Sequence, residues 1–524
     1  MTPAQRFCLP RAWLLALLAL TALRWLVAAI APLAPDEAYY WLWSEVPQAS
    51  YYDHPAMVAL FIRAGTLIAG PTPLGIRLLG PAAIAAITLL LADAAHKLLG
   101  SAQGRERVGL WTGLLFNATL MAGVGGILAT PDVPQLLFWS FTLWALARLE
   151  SSQQGRWWLA IGLGCGLSIL SKYSGVLLIV GIGIWLISST KARHWWRHPQ
   201  LFAGAALTAF TTLPILIWNW QHNFVSFIKQ GGRLADGGGI AWRYLAELLG
   251  SQAGLATPLI FILCVVGTWG AWRAWRRQND SAAALLCCLI LPGTALFIWQ
   301  ATGSRVQGNW PSLLLPAACL AAAAYCPDWW QSWRKPAVGL GFALVLPVYL
   351  QASLGLVPLP AKLDVTQGRM GGWPEFATAV NAQRIESQGT FLVAENYGLA
   401  SQLALWTPGP VPVVGLGPRW NHFNLSSPTE PAKGLYVRPE RNASQSLPPG
   451  LLPLGQERSL VRARNGREAE RYRISSVMFK PGEAAGSAML PRPGHRSAAG
   501  SSRGIPDKAT AGGVIPDEDN KNSQ

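Results

Sequence analysis

Between residues 12 and 357 the chain repeats one pattern, an apolar stretch of membrane-spanning length followed by a short polar gap. The stretches are roughly 12–33, 74–96, 108–128, 133–149, 157–171, 174–190, 200–220, 252–271, 281–300, 311–326 and 337–357. Crossing the hydrocarbon core takes about 20 apolar residues, and in lipid only a helix or a closed barrel satisfies its own backbone. The pattern predicts an all-α polytopic membrane protein with about 11–13 transmembrane helices. Only 13% of residues are charged, against about 25% in a soluble domain.

The net charge of +16 does not indicate nucleic-acid binding, because the basic residues lie in short clusters between apolar stretches rather than on one patch. They set orientation instead. With the N-terminus inside, the inner gaps and tail carry Arg6, Arg11, Lys97, Arg105, Arg107, Arg148, Arg156, Lys191, Arg193, Arg197, Arg273, Arg276, Arg277, Arg334 and Lys335. The outer face before residue 357 carries Arg63, Arg77, Lys172, Lys229, Arg233, Arg243 and Arg305, which makes 15 against 7. The loop 34–55 and everything after residue 357 then face outward, on the same side as Asp132, Lys172, the 221–251 loop and Arg305. The first stretch reads as a retained anchor rather than a cleaved signal, being long enough to span. Residues 56–70 are apolar but short, broken by Arg63 and bounded by Pro55 and Pro71. They read as an interfacial helix.

Three units follow: a membrane domain over 1–357 with its first outer loop at 34–72, a small α/β domain over 358–475, and a tail over 476–524. Strand-like runs at 390–394, 411–414 and 434–437 support the second. The tail is rich in Gly, Pro, Ser, Ala and charge and is expected to be disordered. Cys8, Cys165, Cys264, Cys287, Cys288, Cys319 and Cys326 lie in or beside apolar stretches without zinc or disulfide spacing. They read as packing residues.

The densest chemistry follows the first stretch. Ala34-Pro35-Asp36-Glu37-Ala38-Tyr39-Tyr40-Trp41-Leu42-Trp43 and Tyr51-Tyr52-Asp53-His54-Pro55 gather Asp36, Glu37, Glu45 and Asp53 within eighteen residues. The interleaved Tyr and Trp settle at membrane–water boundaries. Pro35 suits a first helical turn, where the dipole favours acids, so Asp36 and Glu37 are either capping acids or a site. Adjacent helical residues point about 100° apart; one of the two works while the other positions it. His54 is a surface histidine, or else binds phosphate or shares a proton. Asp132, in Thr130-Pro131-Asp132-Val133-Pro134, is an ordinary N-cap or part of the site. Lys172, in Ser171-Lys172-Tyr173, is a snorkelling lysine or a phosphate ligand. Arg305 is an interfacial anchor or a phosphate ligand. Arg24 falls mid-span, to pair with Asp93 or to snorkel.

These motifs, with Ser171-Lys172-Tyr173-Ser174-Gly175, Gly308-Asn309-Trp310-Pro311, Ala394-Glu395-Asn396-Tyr397 and Gly417-Pro418-Arg419-Trp420-Asn421, resemble the GT-C superfamily of membrane glycosyltransferases. The likeness is to the bacterial branch similar to protein O-mannosyltransferases (family 39), which includes the aminoarabinose transferase of lipid A and lipopolysaccharide galacturonosyltransferases. It spans roughly residues 10–425. The resemblance implies a GT-C fold in a bacterial inner membrane, with site and outer domain periplasmic. It implies a polyprenyl-phosphate sugar as donor, inversion at the anomeric carbon, and a cell-envelope acceptor (lipid, glycan or protein), with lipopolysaccharide or lipid A preferred.

The resemblance also assigns residues. The catalytic acid falls on Asp36, beside Glu37. The motif that holds the donor phosphate falls on Tyr52, Asp53, His54 and Pro55; His54 stands where the aminoarabinose branch has Lys, so Lys172 or Arg305 supplies the charge. No cofactor is expected, the lipid-linked sugar being a co-substrate, and no obligatory metal is expected. A flippase of lipid-linked sugars is one alternative, and it would line a path through the bilayer with polar groups. A protein O-glycosyltransferase is another, as is a binding homologue without activity.

Overall fold

The expected spans are largely helical, with 108–128 and 252–271 each broken by a turn. The computed structural model describes residues 10–99, 107–235, 242–360, 363–442, 446–481 and 486–494. Its helices are α1 (Arg11–Ile30), α2 (Pro35–Glu45), α3 (Met57–Ala69), α4 (Pro73–Arg77), α5 (Leu79–Leu99), α6 (Val108–Asn117), α7 (Asp132–Ser152), α8 (Trp157–Ser171), α9 (Val176–Ser188), α10 (Pro199–Gln221), α11 (Val225–Ala235), α12 (Trp242–Leu255), α13 (Pro258–Gln278), α14 (Ser281–Gly303), α15 (Leu315–Tyr325), α16 (Asp328–Gln331), α17 (Arg334–Leu354), α18 (Trp373–Glu386) and α19 (Tyr397–Trp406). Among the described residues, six helical stretches can cross a membrane by length and composition: Arg11–Ile30, Pro73–Leu99, Pro199–Gln221, Pro258–Gln278, Ser281–Gly303 and Asp328–Leu354. Shorter apolar helices, among them Val108–Asn117, Trp157–Ser171, Tyr173–Ser188 and Trp310–Tyr325, fill the other expected positions, and α7 fills 133–149. The interfacial helix is α3.

One apolar core joins α5 to α9 with α13, α14 and α15. Small residues let backbones touch, as membrane helices require. A Cβ at Gly162 of α8 would meet Gly204 O of α10 at 2.1 Å. Arg24 does not reach Asp93. It is fully buried and donates to Asn117 Oδ1 at 2.8 Å and Tyr349 Oη at 3.4 Å. Asp93 instead accepts from Arg148 at 2.5 Å and Trp144 Nε1 at 2.7 Å. The reason is depth. Arg24 lies about 20 Å along α1 from its start, and Asp93 only about 9 Å from the end of α5, at 1.5 Å rise per residue.

The outer domain is a sheet flanked by α18 and α19. Its strands are β1 (Phe391–Ala394), β2 (Val413–Gly415), β3 (Ala432–Pro439), β4 (Leu451–Pro453), β5 (Arg458–Arg464), β6 (Arg467–Phe479) and β7 (Ala488–Met489). Their order is β4-β6-β3-β1-β2-β7, with β5 also on β6. β1 runs parallel to β2 and β3; the other pairs are antiparallel.

The sheet overruns the expected boundary at 475. β6 continues to Phe479, and β7 pairs with β2. Arg492 is buried and donates to the carbonyls of Leu403, Thr407 and Gly409. Val477, Phe479 and Leu490 are buried apolar residues, outvoted by their Gly- and Ser-rich neighbours when composition is averaged over the tail. The rest of the expected disordered tail, from residue 495, lies outside the described residues.

A second core positions the site. It unites Leu33, Tyr39, Trp41, Trp43, Tyr51 and Ile62 of the first outer loop with Trp373, Phe376, Leu399, Leu403, Trp420 and Leu435 of the outer domain. The acidic loop and the outer domain thus fold as one apolar unit.

Candidate active site

Pro35 starts α2, and Ala34 holds the extended conformation of an N-cap. Asp36 and Glu37 occupy the first turn and diverge. Glu37 is buried, at 1% exposure. It accepts from Arg77 Nε at 2.7 Å and Nη2 at 2.5 Å, from Ala34 N at 2.8 Å and from Ala129 N at 2.9 Å. Arg77 also donates to the carbonyls of Ala28, Ala31 and Pro32. The pair ties the end of α1, the start of α2, α4 and the turn before α7 into one knot. Asp36 is exposed, and its Oδ1 accepts from the Tyr397 hydroxyl at 2.8 Å.

Asp53, in the loop between α2 and α3, is the centre of an ion cluster. Its Oδ1 accepts from Lys229 Nζ at 2.7 Å; its Oδ2 accepts from Arg419 Nη1 at 2.5 Å and from Tyr39 Oη at 3.0 Å. Burial would raise the Asp53 carboxyl, but Arg419 and then Lys229 outweigh it and hold it well below the usual carboxylate range. Two cations, Lys229 and Arg419, thus flank one carboxylate. Lys229 lies 4.4 Å from the centre of the Tyr52 ring and Arg419 5.4 Å. His422 stacks on Tyr52 at 5.1 Å. His54 is partly buried; its carbonyl accepts from Tyr51 N at 3.1 Å, and its ring meets Tyr40 edge-on at 6.4 Å.

Three other motifs converge on a second buried pair. Lys172 Nζ donates to Asp132 Oδ1 at 2.7 Å, and Asn309 Nδ2 donates to Asp132 Oδ2 at 2.8 Å. The start of α7, the end of α8 and the Gly308-Asn309-Trp310 turn are joined there. Burial first, and then the carboxylates of Asp36, Asp53 and Asp132, push the Tyr40 hydroxyl well above the usual range. Arg305 pairs instead with Glu247 of α12 at 2.9 Å, both groups about half exposed.

Of the residues expected from sequence, Tyr52 and Asp53 share Lys229 and Arg419, His54 meets Tyr40, Asp132 and Lys172 pair with each other, and Asp36 bonds Tyr397. Glu37 lies beneath Asp36 in its own knot, and Arg305 holds a surface pair. Three groups that contact these residues received no role from the sequence: Lys229, Tyr397 and Arg419. Tyr397 and Arg419 stood within two of the quoted motifs, and Lys229 stood in the 221–251 loop. Nothing in one-dimensional spacing joins residue 53 to residues 229 and 419. Among the described residues no group of three or more His, Cys, Asp or Glu side chains is arranged to hold a metal ion.

Fold and site define a polytopic membrane protein whose acidic site is completed by its own C-terminal domain. Residues 53–218 match the dolichyl-phosphate-mannose-protein mannosyltransferase family. The chain is 29% identical over 314 residues to the lipid A galacturonosyltransferase RgtD of Rhizobium johnstonii; the match spans 59% of this chain and 63% of that relative. The structure superposes on ArnT of Cupriavidus metallidurans bound to undecaprenyl phosphate with a TM-score of 0.60 at 14% identity, covering 91% of this chain and 100% of that one. Against the apo form of ArnT the TM-score is 0.59, at 14% identity over 88% of this chain and 98% of that one. The chain is thus similar in sequence to RgtD, spanning less than two thirds of its length, and shares the fold of ArnT.

Proposed function

We propose that the protein is an inverting glycosyltransferase that moves a sugar from a polyprenyl-phosphate donor to a cell-envelope acceptor, lipid A or a related lipopolysaccharide, at the periplasmic face of a bacterial inner membrane. The observation that carries this reading is an exposed Asp36 carboxylate beside an ion cluster in which Lys229 and Arg419 flank Asp53. The acceptor hydroxyl attacks the anomeric carbon and passes its proton to Asp36 as general base. The bond from that carbon to the phosphate oxygen breaks, and the polyprenyl phosphate leaves with the electron pair. The Lys229 and Arg419 cations, with Tyr52 and His54 beside them, stabilise the departing phosphate. Glu37, saturated by Arg77 and two backbone amides, positions the turn that carries Asp36.

RgtD, as its name states, acts on lipid A, and ArnT is seen with undecaprenyl phosphate; both support the choice of donor and acceptor. The bias of 15 inner against 7 outer basic residues supports the periplasmic orientation. A flippase is disfavoured because Arg24, buried mid-span, is taken up by Asn117 and Tyr349 rather than lining a polar path.

The test is a transfer assay in membranes with a panel of polyprenyl-phosphate sugars and envelope lipid, glycan and protein acceptors. Wild type should form product, and Asp36→Asn should lose roughly 10²-fold or more. Equal rates would overturn Asp36 as the base. Product on protein alone would move the acceptor to a protein hydroxyl.

A further inference from the structure

We propose that Tyr397, contributed by the outer domain, is a positioning residue for Asp36: its hydroxyl fixes the carboxylate for proton removal from the acceptor. This rests on the reading of Asp36 as the general base. The argument begins with α19, whose face reads along residues 33–36. Gln402 Nε2 donates to Leu33 O at 3.1 Å. Gly398 packs so close to Pro35 that a Cβ there would meet Pro35 Cβ at 2.8 Å. Tyr397 Oη donates to Asp36 Oδ1 at 2.8 Å. These contacts, spread over less than two helical turns, fit one helix to one four-residue segment.

Both ends of α19 are pinned. Asn396 caps its start, accepting from Leu399 N at 3.0 Å. Arg492 binds the last carbonyls, including Leu403 at 2.8 Å, where a cation also suits the helix dipole. Tyr397 therefore sits on a fixed mount. Arg419 lies over its ring, 4.1 Å from the centroid. A cation over an aromatic face draws on its electrons and polarises the hydroxyl as a donor. The same Arg419 bonds Asp53. One side chain thus touches the cluster assigned to the donor phosphate, and through Tyr397 the base.

Tyr397→Phe removes one hydroxyl and keeps the ring under Arg419 and against Tyr39. With a polyprenyl-phosphate sugar that wild type accepts, kcat should fall about tenfold, a fraction of the effect of losing the base. The KM for donor should stay within about twofold. A hydrogen bond donated to a carboxylate favours its charged form, so the acidic limb of the kcat–pH profile should move up by about one unit. Fluorotyrosine at 397, a more acidic phenol, should move that limb down. A merely structural role for Tyr397 would lower thermal stability and leave the limb in place, and that result overturns the proposal. Asp36→Asn is run in parallel. If it keeps the wild-type rate, the base assignment fails and this proposal with it. If it is inactive while Tyr397→Phe matches wild type in rate and profile, the positioning role alone fails.

Discussion

Glu37→Gln separates the two neighbouring acids of the α2 turn. Glu37 accepts four hydrogen bonds, two from the Arg77 guanidinium and one each from Ala34 N and Ala129 N. The ion pair is dry, with side-chain exposures of 0% and 1%. An amide cannot serve this site. One of its two heteroatoms becomes an NH2, and each carboxylate oxygen here faces donors only, so at least two bonds are replaced by donor–donor contacts. Arg77 keeps its charge and three backbone carbonyls but loses its counter-ion. Removing one partner of a buried ion pair costs about 3–5 kcal/mol, which corresponds to a fall in unfolding temperature on the order of 5 °C or more. The assay is intrinsic tryptophan fluorescence of the detergent-solubilised protein on heating, with transfer activity measured on the fraction that remains folded. The expected result is a strongly destabilised protein whose folded fraction still transfers sugar within about tenfold of wild type. A variant with wild-type stability and no activity would refute the knot and make Glu37 the working acid.

Other variants probe the second pair and the titrating groups. Lys172→Met leaves Asp132 buried without its cation, and should cost about 3–5 kcal/mol in thermal unfolding; joining it to Asp132→Leu should recover most of that stability. No recovery in the double variant would deny the direct coupling. Asp53 is held below the usual carboxylate range by Arg419 and Lys229 against the opposing effect of burial. Its contribution is fully present above the unfolded carboxylate value and is lost as pH falls through the depressed folded value. The stability gap between wild type and Asp53→Asn should therefore be widest near neutral pH and narrow only in strong acid; a gap that does not depend on pH would refute the ion cluster. Burial, followed by the neighbouring His222, pushes His422 down to about 4 from 6.5. The unfolded chain binds more protons between those values, so stability should rise with pH across that window. His422→Gln should flatten that rise, measured as unfolding temperature at pH 5 and pH 7, and an unchanged slope would refute it.

The membrane half was legible because its rule is one-dimensional. Each apolar stretch had to become a helix, and α3 declared itself by its length and its proline borders. The acidic loop was legible as a site because acids and aromatics at a bilayer edge have few other uses. What the sequence could not reveal was partnership. Asp36 and Glu37 are adjacent and alike, and only the position of Arg77, forty residues on, separates a locked acid from an exposed one. Lys172 and Asp132 each had an ordinary reading alone, and they become informative when folding joins them to Asn309. Arg24 and Asp93 matched in charge but not in depth. The outer domain was the hardest part. Tyr397 and Arg419 act across more than three hundred residues of chain, and β6 and β7 were hidden by the composition of their neighbours.

The pairing of β7 with β2 bears on how the chain avoids its own copies. Without Ala488 and Met489, the outer side of β2 would be a row of unpaired backbone donors and acceptors, the kind of edge on which a second molecule adds a strand. Confinement to a membrane surface brings outer domains together in a common plane and favours such an encounter. The two-residue strand is too short to recruit a neighbour, and the buried Arg492 that follows anchors it. A chain shortened at residue 485 would keep its spans and its acids, yet present a sticky sheet to every copy beside it. The final described stretch covers that edge.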